Sequence, residues 1–281
     1  MLLTAIGLLL AAAPDTILVS PAWLAARLGD PRVVVVHAGD RDDFATGHVP
    51  SARVVDVMAL HSHEGEGLPP ATGMAAALSR AGVANDSRVI VYGDGMWAAI
   101  AYVALESLGL GSQSSILDGG LAAWRAAGHA VSTESAGPLA AGLVPRPAGD
   151  VVVDAGWVAA RLAAPGVRLL DARTPDEYAG AARESLPRTG HLPGATLLEW
   201  TAVTDRQSGR FHPADRLRQL FAEAGVSPGD TVVSYCTVGM RASQLYLAAR
   251  ILGHPARIYA GSMADWSRRP SLPLVTGARP R

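Results

Sequence analysis

The chain has 281 residues, 49% of them hydrophobic, and a formal net charge of -1. That balance excludes a general nucleic-acid surface and a polybasic membrane face, and the length suits two domains of ordinary size. The single cysteine, Cys236, excludes an internal disulfide scaffold and a cysteine-rich metal site, and no HExxH pattern offers metal ligands.

Residues 1–19 form an apolar N-terminal segment that opens with MLLTAIGLLLAAA. These 13 residues are too few for a membrane span, which takes about 20. The run has the apolar stretch and Ala-rich end of an export signal but no Lys or Arg before it. A cytoplasmic protein is expected, and a periplasmic or secreted one if residues 1–13 act as a signal peptide.

From Ser20 the pattern becomes periodic. PAWLAARL reads as a helix and RVVVVHA as a buried parallel strand; an acidic turn, an aromatic at Phe44 and the motif Gly47–Pro50 follow. TGMAAALSRAG reads as a helix that stops at glycine, AGVANDSRVIVYGDG as a strand running into a loop, and LDGGLAAW as a turn and helix. The stretch 133–150, rich in Gly, Pro and small residues, is the expected linker, or a segment draped over a domain interface.

The same order then recurs. DAGWVAARL begins at Asp154, VRLLDA is again a buried strand, and Tyr178 stands where Phe44 did. Gly190–Pro193 repeats the Gly-His-x-Pro motif, AGVSPGDTVVSYCTV from Ala224 matches AGVANDSRVIVYGDG, and YAGSMADW from Tyr259 resembles LDGGLAAW. ADRLRQLFAEAG and ASQLYLAARILG complete the helices. Alternating strands and helices, repeated once, predict an α/β protein of two similar domains, each an open, mostly parallel sheet flanked by helices. Their expected bounds are 20–132 and 151–281.

Cys236 follows the strand TVVSY and precedes the helix RASQLYLAARILG. Open α/β sheets hold ligands at that position, between the carboxyl end of a strand and a helix N-terminus. Free N–H groups at the helix start and a tight turn at Gly239 form an anion-binding nest, in which the thiol pKa is expected to fall from about 8.5 by one or more units. The plain alternative is a buried core thiol, since cysteine is among the most buried residue types. Arg241, a cation in a first helical turn, opposes the helix dipole unless an anion binds there; its plain alternative is a solvated side chain. Thr237, Val238 and Met240 line the loop or pack beside it. Only the four residues Thr237–Met240 separate Cys236 from Arg241. That ring suits an outer sulfur atom better than the whole phosphate of a cysteine phosphatase.

Taken together, DARTPDEYAG, GHLPGA, YCTVGMRAS and YAGSMADW in the second copy, with FATGHVPSA and LDGGLAAWRAAGHAV in the first, resemble the rhodanese family of sulfurtransferases. The whole chain from about Ser20 is similar to its tandem-domain thiosulfate and 3-mercaptopyruvate members. The resemblance implies a catalytic C-terminal domain in which Cys236 carries the transferred sulfur. It also implies an inactive first domain, where Gly93 stands in place of Cys236, and His37 and Gly39 in place of Asp171 and Arg173. Asp171 and Arg173 are expected to order the site, or to form an ion pair that orders only the local turn. His191, repeated as His48 in the inactive copy, reads as structural, and Trp266, like Trp124, as core.

The sequence departs from the pattern at Glu177, where the family's tandem enzymes place an arginine that helps hold the anionic donor. Arg183 and Arg188 are candidate replacements, Arg188 the preferred one. The expected activity passes the outer sulfur of thiosulfate through a Cys236 persulfide to cyanide or a thiol. 3-Mercaptopyruvate is the alternative donor, and a non-turnover persulfide carrier or a binding module the non-enzymatic reading. A carrier reacts with one equivalent of donor and turns over poorly; a binding module is indifferent to loss of the thiol. No metal or organic cofactor, no nucleic acid and no stable membrane partner are expected, and the chain is expected to be a monomer.

Overall fold

The computed structural model describes residues 16–62, 67–137, 139, 141–182 and 185–279. The apolar run 1–13 and Arg183 lie outside them.

In the first unit, β1 (Leu18–Val19) leads into α1 (Pro21–Ala25). Ser20 caps that helix by accepting the Trp23 N–H at 3.1 Å, and Pro21 takes the first position, where no N–H is needed. Next come β2 (Val33–Ala38), α2 (Arg41–Thr46), β3 (Arg53–Val55), α3 (Ala71–Arg80), β4 (Arg88–Tyr92), α4 (Trp97–Ser107), β5 (Ser114–Leu117) and α5 (Gly120–Ala126). The strands lie in the order β1-β5-β4-β2-β3, all parallel. The β-branched run of β2 is buried on both faces, as a central parallel strand requires.

The second unit repeats the plan with α6 (Ala155–Ala159), β6 (Val167–Asp171), α7 (Pro175–Ala179), β7 (Thr196–Leu197), α8 (Ala214–Glu223), β8 (Thr231–Tyr235), α9 (Ala242–Ile251), β9 (Ala256–Ile258) and α10 (Ser262–Trp266). Asp154 caps α6 through the Trp157 N–H at 2.7 Å, as Ser20 does in the first unit. The order β7-β6-β8-β9 is parallel throughout and equivalent to β3-β2-β4-β5. Val152 makes a parallel bridge to Ile258 where β1 lies in the other sheet.

The repeated Gly-His-x-Pro motifs also superpose in chemistry. The His48 ring stacks on Phe44 with centroids 3.8 Å apart, and His191 stacks on Tyr178 at 3.7 Å. Each ring has both nitrogens within hydrogen-bonding distance of carbonyls, Phe44 and Glu134 for His48, Tyr178 and Arg279 for His191. Both histidines are fully buried and structural. Trp124 and Trp266 are buried too, each donating its indole N–H to a carbonyl, Ala130 at 2.8 Å and Pro273 at 2.9 Å.

The two units share one apolar core, which joins Val36, Val91 and Tyr102 to Leu170, Val232 and Tyr246. Its centre is the packing of α4 against α9. Residues Ala98–Leu105 of the one and Ala242–Ala249 of the other are buried without interruption, so neither helix shows a wet face there. At the far end of this seam Glu106 accepts the Tyr246 hydroxyl at 2.9 Å and pairs with Arg250 at 2.8 Å. The segment between the units runs along the first one. Ala141 N–H donates to Ser79 O, Val144 exchanges two bonds with the Asn85 amide, and Arg146 and Ala148 donate to Leu108 and Ser107 carbonyls. Among the described residues no helix is long and apolar enough to cross a membrane.

Candidate active site

Cys236 is the first residue beyond β8, and α9 starts six positions later at Ala242. The intervening chain turns at Gly239, whose φ of 92° lies in the left-handed region. A Cβ there would meet the Ala260 carbonyl oxygen at 2.5 Å, so glycine alone fits. The turn brings the Gly239 N–H onto the Cys236 Sγ at 3.1 Å. A backbone amide therefore points at sulfur, as a loop that holds negative charge on that atom requires.

The loop is fixed from below by the start of α10. Met263 and Ala264 donate their N–H groups to the Cys236 and Thr237 carbonyls at 3.0 and 2.9 Å. These are first-turn donors without a partner inside the helix. Ser262 Oγ accepts the Cys236 N–H at 3.1 Å and donates to the Tyr259 carbonyl at 2.8 Å. Cys236 is itself fully buried and contacts the shared core, so the thiol is at once a core group and an amide acceptor. Thr237, Val238, Met240 and Arg241 are half-buried around it, and Met240 packs on the core.

Arg241, at the end of the loop, pairs with Glu177. Its two terminal nitrogens donate to the Glu177 carboxylate oxygens at 2.8 and 2.7 Å, and one also donates to Thr237 Oγ1 at 2.7 Å. Glu177 sits in the first turn of α7 in a reciprocal cap with Thr174. The Thr174 N–H and hydroxyl donate to Glu177 Oε2 at 2.9 and 2.8 Å, and the Glu177 N–H returns to Thr174 Oγ1. Burial works to raise the Glu177 pKa, but the bonds from Arg241 and Thr174 outweigh it and hold the carboxyl well below its usual range. Burial likewise opposes the Arg241 cation, and the Glu177 carboxylate and the nearby Cys236 sulfur hold its pKa above the ordinary value.

Asp171 ends β6 in register with Tyr235, the last residue of β8, so it stands one strand from the cysteine loop. Both Asp171 and Arg173 are fully buried. The Arg173 guanidinium and backbone N–H converge on the Asp171 carboxylate, with the shortest bond at 2.7 Å, and the guanidinium also donates to the Gly190 carbonyl at 2.7 Å. Arg188 lies elsewhere. Its guanidinium donates to the carbonyls of Trp266, Ser267, Arg269 and Leu272 at 2.6 to 3.1 Å, at and beyond the end of α10. That set of bonds closes the C-terminal end of the helix whose N-terminal end carries the cysteine loop.

The first unit has no thiol here. A Cβ on Gly93 would meet the Ala38 carbonyl at 2.2 Å, so no side chain fits. His37, in place of Asp171, is buried edge-on against Phe44 and Tyr92, and burial lowers its pKa. A cavity of about 320 Å³ lies between this loop and residues Trp200–Phe211 of the second unit, away from Cys236. Two participants at the real loop escape pattern reading at first sight. Thr174 is visible as the first residue of a Thr-x-x-Glu capping signal. Ser262 could be found only by noticing that it stands opposite Gly120 of the first copy.

Two stretches of the chain, residues 20–127 and 154–269, match the family described as "Rhodanese-like domain". The chain belongs to the rhodanese family. As a two-domain rhodanese it is 34% identical to a probable 3-mercaptopyruvate sulfurtransferase of Pseudomonas aeruginosa, over 90% of this chain and 96% of that one. It is 31% identical to the thiosulfate sulfurtransferase of the same organism and 32% identical to that of Azotobacter vinelandii, each over 92% of this chain and 96% of the relative. Among solved structures, the anaerobic ergothioneine biosynthesis enzyme from Chlorobium limicola aligns with a TM-score of 0.81 at 23% identity, covering 93% of this chain and 70% of that one. Wild-type EanB aligns with a TM-score of 0.84, also at 23% identity, covering 94% and 70%. These last two likenesses speak for the fold alone.

Proposed function

We propose that this tandem rhodanese is a thiosulfate sulfurtransferase with Cys236 as its nucleophile. The observation that carries the reading is the Gly239 N–H on the Cys236 sulfur at 3.1 Å, in a loop braced by α10. The Cys236 thiolate attacks the outer sulfur of thiosulfate. The donor's S–S bond breaks, sulfite leaves with the bonding electrons, and a Cys236 persulfide remains. The Gly239 amide and the turn Thr237–Met240 hold the persulfide charge, as oxyanion-hole donors hold an oxyanion. Cyanide or a thiol then attacks the outer sulfur and regenerates the thiolate. Arg241 is the cation that draws a small anionic donor to the mouth. Asp171, Arg173 and Arg188 act in support, the first two at the carboxyl end of β6 and the third at the end of α10.

3-Mercaptopyruvate is the second reading. The Glu177 carboxylate on Arg241 favours it, because the pair lowers the positive charge offered to a dianion. The reading also takes the chain as a monomer, since α4 and α9 cover each other within one molecule. It takes it as cytoplasmic, where a lone thiol stays reduced.

The test is steady-state sulfur transfer to cyanide from thiosulfate and from 3-mercaptopyruvate, with Cys236→Ser as control. Faster turnover with thiosulfate, absent in the variant, is the expected result. Faster turnover with mercaptopyruvate keeps the mechanism and changes the donor. Turnover that survives Cys236→Ser, or none with either donor, overturns the reading.

A further inference from the structure

The cation of the cysteine loop is already occupied. Both terminal nitrogens of Arg241 lie on Glu177 in a two-point contact. The pair is neither sealed nor free, with side chains 21% and 15% exposed. Through the Arg241 bond to Thr237 Oγ1 at 2.7 Å it stands beside the residue that follows Cys236, where solvent and a small anion can reach it. The two partners are not equally anchored. Glu177 sits on the first turn of a helix and is held there by the Thr174 N–H and hydroxyl, independently of Arg241. Arg241 is a long side chain whose other drawn bond, to Thr237 Oγ1, belongs to the same loop. If the pair opens, Arg241 moves and Glu177 stays.

We propose that Glu177 is the residue that sets donor charge selectivity: a fixed internal anion that masks Arg241, so that an anionic donor binds only by competing with it. The inference rests on the sulfurtransferase reading of this site and adds a determinant to it. A dianion entering the mouth exchanges one carboxylate for itself on the same guanidinium, so its net gain is small. A donor of lower charge loses less by leaving Arg241 on Glu177. With the carboxylate replaced by an amide, Arg241 is available outright, and the amide oxygen can still complete the cap with Thr174, since Gln serves at that position as Glu does.

The experiment measures thiosulfate binding by titration calorimetry in a Cys236→Ser background, where no sulfur can be transferred. Adding Glu177→Gln is expected to tighten thiosulfate binding about tenfold, on the order of one charge-assisted hydrogen bond. Adding Arg241→Gln as well is expected to abolish that gain. Unchanged affinity, or no binding in either the Cys236→Ser or the Cys236→Ser, Glu177→Gln protein, overturns the proposal. So does a gain that persists at full size without Arg241, because it would then reflect plain removal of repulsion. Melting curves establish that each variant is folded, and Glu177→Asp supplies a second test: it keeps the charge, shortens the reach and is expected to give an intermediate affinity. Failure of the sulfurtransferase reading looks different: wild-type protein fails to turn over even though Glu177→Gln tightens binding.

Discussion

Ser262 accepts the Cys236 backbone N–H on its hydroxyl oxygen at 3.1 Å while holding a left-handed φ of 53°. The equivalent residue in the thiol-free copy is Gly120, at a φ of 55°. A side chain in that conformation costs roughly 1–2 kcal/mol, so the second copy bears strain at a position that gives it a hydrogen bond to the cysteine backbone. Ser262→Ala keeps the strain and leaves a buried N–H unpaired, and is expected to cost about 1–3 kcal/mol in urea denaturation. Ser262→Gly leaves the same N–H unpaired but relieves the strain, and is expected to cost less. Both should lower kcat for sulfur transfer more than they change KM, because the buried Ser262 hydroxyl holds the backbone of Cys236. Equal stability and kcat in Ser262→Ala and wild type would contradict this.

One strand from the same loop, Asp171 and Arg173 are an ion pair with no exposed surface. Each charge is compensated chiefly by the other, with the Gly190 carbonyl as a further acceptor for Arg173. Asp171→Asn keeps the shape and removes the countercharge. The expected loss is about 3–5 kcal/mol, the range for orphaning one member of a buried pair. Chemical denaturation checks it. A loss below about 1 kcal/mol shows that the guanidinium finds water or another partner.

Some of this molecule can be read along the chain and some only across it. The strands β2 and β6 announce themselves because a strand buried on both faces needs a continuous apolar run, and VVVVHA and VRLLD supply it. Ser20 and Asp154 precede their helices as capping residues do, and the order of motifs twice over marks the duplication. Local rules also put a thiol between the end of β8 and the start of α9. They do not say that the loop's arginine meets Glu177, because that contact spans 64 residues and depends on two strands lying side by side. Glu177 looks like a missing cation when read against the family and is the anchor of an ion pair when seen in place. Arg188 is similar: its partners lie 78 to 84 residues further on, and nothing near it in sequence marks them. Cys236, too, is buried in the core that the two units share.

Those four carbonyl bonds define what Arg188 should do. A cation at a helix C-terminus satisfies carbonyls that have no intrahelical partner. The far end of the same helix, through Met263 and Ala264, holds the cysteine loop. Arg188→Ala is expected to lower the melting temperature by several degrees, about 2 kcal/mol for a chain of this size, and to lower kcat with little change in the thiosulfate KM. A donor-binding arginine predicts the reverse pattern, with KM raised and stability intact. The split between kcat and KM decides between them.

The Glu177–Arg241 pair should also be visible in the pH dependence of stability. Glu177 titrates in the folded protein well below its ordinary value of 4.5, so the folded state binds its proton less readily than the unfolded chain does. Such a group contributes stability that is fully present above the unfolded value and is lost as pH falls through the folded one. The stability difference between wild type and Glu177→Gln is therefore expected to be flat from about pH 5 to pH 9 and to shrink steadily below about pH 4.5. Urea denaturation of both proteins across that range measures it. A difference that begins to shrink near pH 6 means a raised carboxyl and a broken pair at neutral pH. A flat difference down to about pH 2 means that Glu177 is no better held in the folded chain than in the unfolded one. With the pair ionised through the neutral range, it adds nothing to the pH dependence of sulfur transfer between about pH 5 and pH 9.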